Sequence, residues 1–287
     1  MVEYKKGDRV KHPSKPDWGL GEVLENSNGQ AVRIFFVNEG DKTLILEYVQ
    51  PIKVVGEEAK NVLLDNRAIT PKAGGIKHLS LPAAVERFLG LFPLGFKDEN
   101  YLKEERDYKL EAHELMQELL NKEDFQGLLS SGNYEEVCKR SLRVVNKTNL
   151  VFPNEKMALK DGLKSAEQQE RFANDLYQLL YGNEEMEERF NNFSNTLQEM
   201  GAAKWTIISY FPFICHPDQH MFLKPMISQH AAAIIRFELN YQPKLNWLTY
   251  SCLLKFSQLL SDSIKELEPR DMIDVQSFMW CIDPKSY

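Results

Sequence analysis

The residues best equipped for chemistry gather late in the chain. Lys204-Trp-Thr-Ile-Ile-Ser-Tyr-Phe-Pro-Phe-Ile-Cys-His-Pro-Asp-Gln-His-Met-Phe-Leu-Lys-Pro225 runs from an apolar, aromatic stretch into a proline-punctuated segment bearing Cys215, His216, Asp218, His220 and Lys224. Titratable groups on a loop that follows a buried segment stand where binding and catalytic residues often sit. A second cluster, Pro269-Arg-Asp-Met-Ile-Asp-Val-Gln-Ser-Phe-Met-Trp-Cys281, alternates Asp271, Asp274 and Gln276 with apolar residues. Between the two, Tyr241 and Trp247 offer flat rings on which a base can stack.

Several chemistries fit these residues unequally. Cys215, His216, Asp218 and His220 are metal-ligating types, but ligands one or two residues apart crowd a single ion and no second spaced pair completes a tetrahedral set, so no metal is expected. Cys215 as a nucleophile lacks an orienting group. A base-excision enzyme is the sharper alternative. Trp205, Tyr241, Trp247 and Trp280 would wall a pocket for an extruded nucleotide, Asp274 would stabilise an oxocarbenium-like centre or activate water, and Lys224 would clamp a phosphate or act as an amine nucleophile. No helix-hairpin-helix LPGVG-type signature accompanies them, and no trailing E-x-K follows Asp271 and Asp274 as a nuclease requires. The plainer reading is that both clusters pack and cap a helical domain.

The elements that must position these residues divide the chain. The first 55 residues show short alternating runs separated by turn residues: a strand around Val10, another over Gly21–Glu25, Ala31–Val37 after the tight turn Asn26-Ser-Asn-Gly29, then Lys42–Glu47 and Val49–Val55. Five short strands in so few residues suggest a small SH3-like β-barrel over 1–55. Thr70-Pro-Lys-Ala-Gly-Gly75 reads as a loop, within a linker over 56–80. From Pro82 the texture is helical: Leu102–Leu120; Glu155–Leu163 with Asn154 as N-cap; a Phe172/Leu176/Leu179/Leu180 stripe closed by Gly182; a Met186/Phe190/Phe193/Leu197 stripe closed by Gly201; then Ile227–Leu239 and Trp247–Leu267. The expected fold is α+β and multidomain, a small SH3-like β-barrel (1–55) and a mostly α-helical domain (81–287).

Gly7-Asp-Arg-Val-Lys-His-Pro13, Pro16-Asp-Trp-Gly-Leu-Gly-Glu-Val23 and Val32-Arg-Ile-Phe-Phe-Val-Asn-Glu-Gly-Asp-Lys-Thr-Leu44 together make the N-terminal module resemble bacterial Tudor/SH3-like domains of the V-x-H-P…P-x-W-G-x-G-x-V type. That family includes a domain-of-unknown-function group, with relatives in UvrD-type helicases and CarD-like RNA-polymerase-interaction domains. The resemblance covers about residues 5–55 and implies work beside DNA repair, transcription or defence machinery, on DNA or a DNA-bound protein such as RNA polymerase. On the residues themselves, Trp18 either anchors a partner or plugs the small core, and the basic strand and loop around Lys11 and Lys15 is either a solvated face or a contact with phosphates or an acidic protein patch. Lys11, Lys15, Trp18 and Arg33 form the expected partner-binding face.

Composition bounds the rest. Of 287 residues, 43% are hydrophobic and 27% charged, which excludes collagenous and wholly disordered chains. Scattered Cys138, Cys215, Cys252 and Cys281 read as reduced thiols of a cytoplasmic protein, and no run of about 18 apolar residues exists. The net charge of −7 falls wholly within residues 101–200, where 13 Lys/Arg face 20 Asp/Glu, so any nucleic-acid contact needs a local basic face. No phosphate loop or dinucleotide fingerprint is present, and no cofactor is expected. Two functions remain: an adaptor docking on DNA or a DNA-bound partner, and a DNA-acting enzyme such as a glycosylase of modified bases.

Overall fold

The structure, a computed structural model, describes residues 3–65 and 80–286. Most of the expected linker, with the Thr70–Gly75 loop, lies outside the described residues.

Five strands come first: β1 (Arg9–Lys11), β2 (Leu20–Val23), β3 (Ala31–Phe36), β4 (Gly40–Ile45) and β5 (Ile52–Val54). They form one antiparallel sheet in the order β4-β3-β2-β1-β5, so β1 is paired on both of its edges. The β2–β3 connection turns where the sequence says it should, with Asn28 Oδ1 accepting from the Gln30 and Ala31 amides and Gly29 at φ 84°. Alternation along β3 assigns two faces. Val32, Ile34 and Phe36 join Tyr4, Val10, Val23, Leu44 and Leu46 in one cluster, while Phe35 joins Leu20, Leu24, Val54 and Leu64 in another. Gly19 adopts φ 72°, which an L side chain rarely takes, and a Cβ on Gly21 would sit 2.7 Å from Ile34 Cγ2. Both glycines thus have a steric reason.

The remainder is mostly helical. The helices are α1 (Val62–Asp65), α2 (Leu81–Leu91), α3 (Glu99–Tyr101), α4 (Asp107–Leu120), α5 (Lys122–Ser130), α6 (Tyr134–Asn146), α7 (Pro153–Gly162), α8 (Ala166–Tyr181), α9 (Met186–Glu199), α10 (Trp205–Ile208), α11 (Tyr210–Cys215), α12 (Pro225–Ile234), α13 (Trp247–Ser263) and α14 (Met272–Cys281). A π turn, Leu102–Arg106, joins α3 to α4. Helix α8 starts where Ser165 Oγ accepts from the Gln168 amide, and its Phe172 ring meets Phe193 of α9 at 5.6 Å. Pro153 occupies the first turn of α7, so Phe152, two residues before the expected Asn154, is the cap position. The expected helix over Ile227–Leu239 begins two residues earlier, at Pro225, and ends at Ile234.

One continuous apolar core, from Leu81 to Ile282, serves the helical region. Helix α14 runs through it with nine of its ten residues buried. It packs against α2, α12, α13 and the π turn, which makes it the axis on which the late chemistry-bearing residues are mounted.

Candidate functional site

The expected late cluster resolves into an ion network and an adjoining cleft. Asp271 caps α14, its Oδ1 accepting from the Ile273 and Asp274 amides. Its carboxylate also takes two hydrogen bonds from Arg106, at 2.8 and 2.6 Å, so Arg106 is clamped bidentately from the π turn. Asp274, one turn in, has no exposed surface and accepts from Arg106 at 2.8 Å, from Arg270 Nε at 2.8 Å and from the Tyr101 hydroxyl. Burial by itself raises the Asp274 carboxyl, but hydrogen bonds from Arg270 and Tyr101 and the Arg106 charge outweigh it and hold it below the usual carboxylate range. A carboxylate so saturated ties the π turn to α14. It has no free lone pair directed at a substrate, and the catalytic role expected for Asp274 has no geometric support.

On the other side of the π turn, Lys109 is fully buried, donating to Ser277 Oγ at 2.7 Å and to Glu105 at 3.3 Å. Beyond it opens a cleft of about 210 Å³ lined by Glu104 and Glu105 of the π turn, Tyr108 of α4, the Asn149–Leu150 corner, Lys224 before α12, and Gln276 and Trp280 of α14. Lys224 Nζ lies 4.3 Å from the Trp280 ring centroid and 5.0 Å from that of Phe152. Burial lowers its pKa, with Glu155 and Glu105 opposing. The sequence therefore singled out two residues that do meet, Lys224 and Trp280, and one, Asp274, that stands apart from them.

The other rings expected to share a pocket with Trp280 lie elsewhere. Trp205 and Trp247 pack on Phe190 at 6.2 and 5.7 Å, and Tyr241 lies 6.4 Å from Trp205. Trp205 is only 4% exposed and its indole N–H donates to the Gln242 carbonyl at 2.8 Å. These rings are spent on core packing, so the four-walled aromatic pocket does not form. Cys215 is buried beneath Tyr181, and burial pushes its thiol up to about 11, which removes the thiolate a nucleophile needs. Among the described residues no group of three or more His, Cys, Asp or Glu is placed to hold a metal ion.

The expected four-residue face of the N-terminal module is divided between the two sides of the sheet. Lys11 stands opposite Leu20 and Ile52 and pairs with Glu58 at 3.1 Å. Arg33 pairs with Asp41 at 2.6 Å, and the same carboxylate is shared by Arg236, whose guanidinium lies 5.2 Å over the Phe35 ring. This side is turned toward the helical region. Trp18 lies on the other side, half-buried, its ring edge-on to Phe36 at 5.1 Å and to His12 at 4.7 Å. It neither plugs the core nor stands free of it. Lys15 Nζ sits 4.4 Å from the indole centroid and Lys42 Nζ 5.5 Å from it. Burial and then the Lys15 charge depress the His12 imidazole, leaving it neutral against the ring. Lys42 carried no signal in the sequence because it reaches Trp18 from two strands away.

No helix among the described residues is long and apolar enough to cross a membrane. Residues 4–54 match the model of a family described as "Protein of unknown function (DUF3553)", and comparison of the chain with curated proteins and with solved structures gives no significant match.

Proposed function

We propose that this chain is a cytoplasmic DNA-associated adaptor whose N-terminal module docks on DNA or a DNA-bound protein, in repair, transcription or defence. The observation that carries the reading is the Trp18 edge: a half-buried indole held rigidly by His12 and Phe36, with two lysine ammonium groups against it. An aromatic ring supplies a stacking surface worth about 1–3 kcal/mol per base, and lysines supply phosphate contacts that release counterions. It is the local basic face that the acidic middle of the chain requires of a nucleic-acid binder. The module is a Tudor/SH3-like barrel in this reading, supported by the quoted motifs and by β1 pairing with both β2 and β5, which brings the last strand back onto the first. The division into 1–55, a linker over 56–80 and 81–287 is supported by apolar clusters that do not mix residues from the two ends. Base excision draws less support, because Asp274 is saturated and its four rings are split.

A native gel shift with a short duplex and its single strands tests the proposal. Wild type shifts at least one of them, and Trp18→Ala weakens the shift by about tenfold, the loss of one stacked ring. An unchanged shift in Trp18→Ala, with the protein still folded, contradicts it.

A further inference from the structure

The cleft beside Lys224 carries an unsatisfied set of polar groups that the docking reading does not use. Gln276 is 2% exposed, lines the cleft, and its Oε1 has no hydrogen-bond partner. A buried acceptor left unpaired costs about 1–3 kcal/mol, so such a group calls for a donor. Lys224 is the second. Among the described residues it makes no ion pair and no side-chain hydrogen bond, and its ammonium is held only against the Trp280 and Phe152 rings. Glu104, on the rim, is the third, an exposed carboxylate with no ion pair among the described residues. Glu105, by contrast, is matched by Lys109.

The cleft thus presents one unmatched cation, one unmatched anion and one unmatched buried acceptor. A simple anion would satisfy Lys224 and meet repulsion from Glu104. A simple amine would satisfy Gln276 and Glu104 and leave Lys224 bare. A molecule carrying both charges satisfies all three. A cleft of about 210 Å³ suits a compact molecule. The wall it meets is partly apolar, from Leu150 and the Trp280 ring. The backbone supports a site here too, since Glu104 and Glu105 project from a π turn, a rare widening of a helix that recurs where side chains must be re-aimed for function.

We propose that this cleft binds a small zwitterion of α-amino-acid size, its carboxylate on Lys224 and its ammonium between Gln276 Oε1 and Glu104. The helical region is then a sensor of a small metabolite, an inference that stands independently of the Trp18 edge.

Isothermal titration of the full chain tests it, using each common α-amino acid at about 10 mM, tenfold above a millimolar Kd, with the matching carboxylic acids and amines that lack one charged group. At least one amino acid binds with one-to-one stoichiometry, and removal of either charge weakens it tenfold or more. Lys224→Met and the rim variant Glu104→Gln, which breaks no ion pair among the described residues, each weaken binding by about tenfold. Three results overturn the proposal: no amino acid binds wild type; an amino acid binds Glu104→Gln and Lys224→Met as it binds wild type; or the acid or the amine alone binds as tightly as the amino acid.

Discussion

Asp274 shows how one side chain can look catalytic and be structural. Its position among Asp271 and Gln276 suggested a carboxylate able to stabilise an oxocarbenium-like centre or activate water, yet it is the shared acceptor of Arg106, Arg270 and Tyr101. Removing one partner from a buried charge network leaves the others uncompensated, a loss of about 3–5 kcal/mol. Asp274→Asn is therefore expected to lower the melting temperature sharply, seen by calorimetry, while the Trp18 edge keeps its ligand as long as the protein remains folded. A second residue-scale consequence concerns pH. Burial, followed by the His216 and Arg189 charges, lowers the His220 imidazole to about 4, Asp218 opposing. The unfolded side chain titrates near 6.5. Between those values the unfolded chain binds a proton that the folded chain refuses, so stability falls as pH drops from about 6.5 to 4. The ring keeps some solvent contact, and the discounted contribution is on the order of 2 kcal/mol. Melting temperatures measured across that range should decline in wild type and decline less in His220→Gln. Lys224 and Trp280 were legible because lysine and tryptophan stood out in apolar surroundings. Their neighbours Glu105 and Tyr108 were not, because nothing local links residues more than a hundred positions apart.

The strands were legible because each alternates and each is bounded by turn residues. Gly21 tests that account: a Cβ there meets Ile34 Cγ2 at 2.7 Å and Phe36 Cδ1 at 2.8 Å. Gly21→Ala should destabilise the sheet by about 1–3 kcal/mol through overpacking, read as a lower denaturation midpoint. Helices α8 and α9 announced themselves by a single apolar stripe. Helix α14 did not, since Met272, Ile273, Val275, Phe278 and Cys281 point to every side and a helix buried all round has no polar face to mark its period. The alternation of polar and apolar residues there belongs to a core helix whose Asp274 and Ser277 are buried against partners from α3, the π turn and α4. The π turn itself had no expectation, because its extra residue leaves no mark on composition or period.

At the scale of the whole molecule, the two sides of the N-terminal sheet have different work. Arg33, Asp41 and Arg236 form a chain of charges that holds one side to the helical region, with Arg236 lowered to about 10 by burial and then by Arg33. That contact spends Arg33 internally, and Lys11 is likewise paired with Glu58. On the Trp18 side Lys42 pairs with Glu39 at 2.8 Å, and Lys15 is left without an ion pair among the described residues. A titration of fluorescent DNA at several salt concentrations, comparing wild type with Lys15→Ala, tests this division most directly. Each phosphate contact adds about 0.9 to the slope of log affinity against log salt. The Trp18 edge as the docking face predicts wild-type binding whose slope falls by about that amount in Lys15→Ala and stays unchanged in Lys11→Ala. Absence of DNA binding by wild type, or equal slopes in wild type and Lys15→Ala, would contradict it.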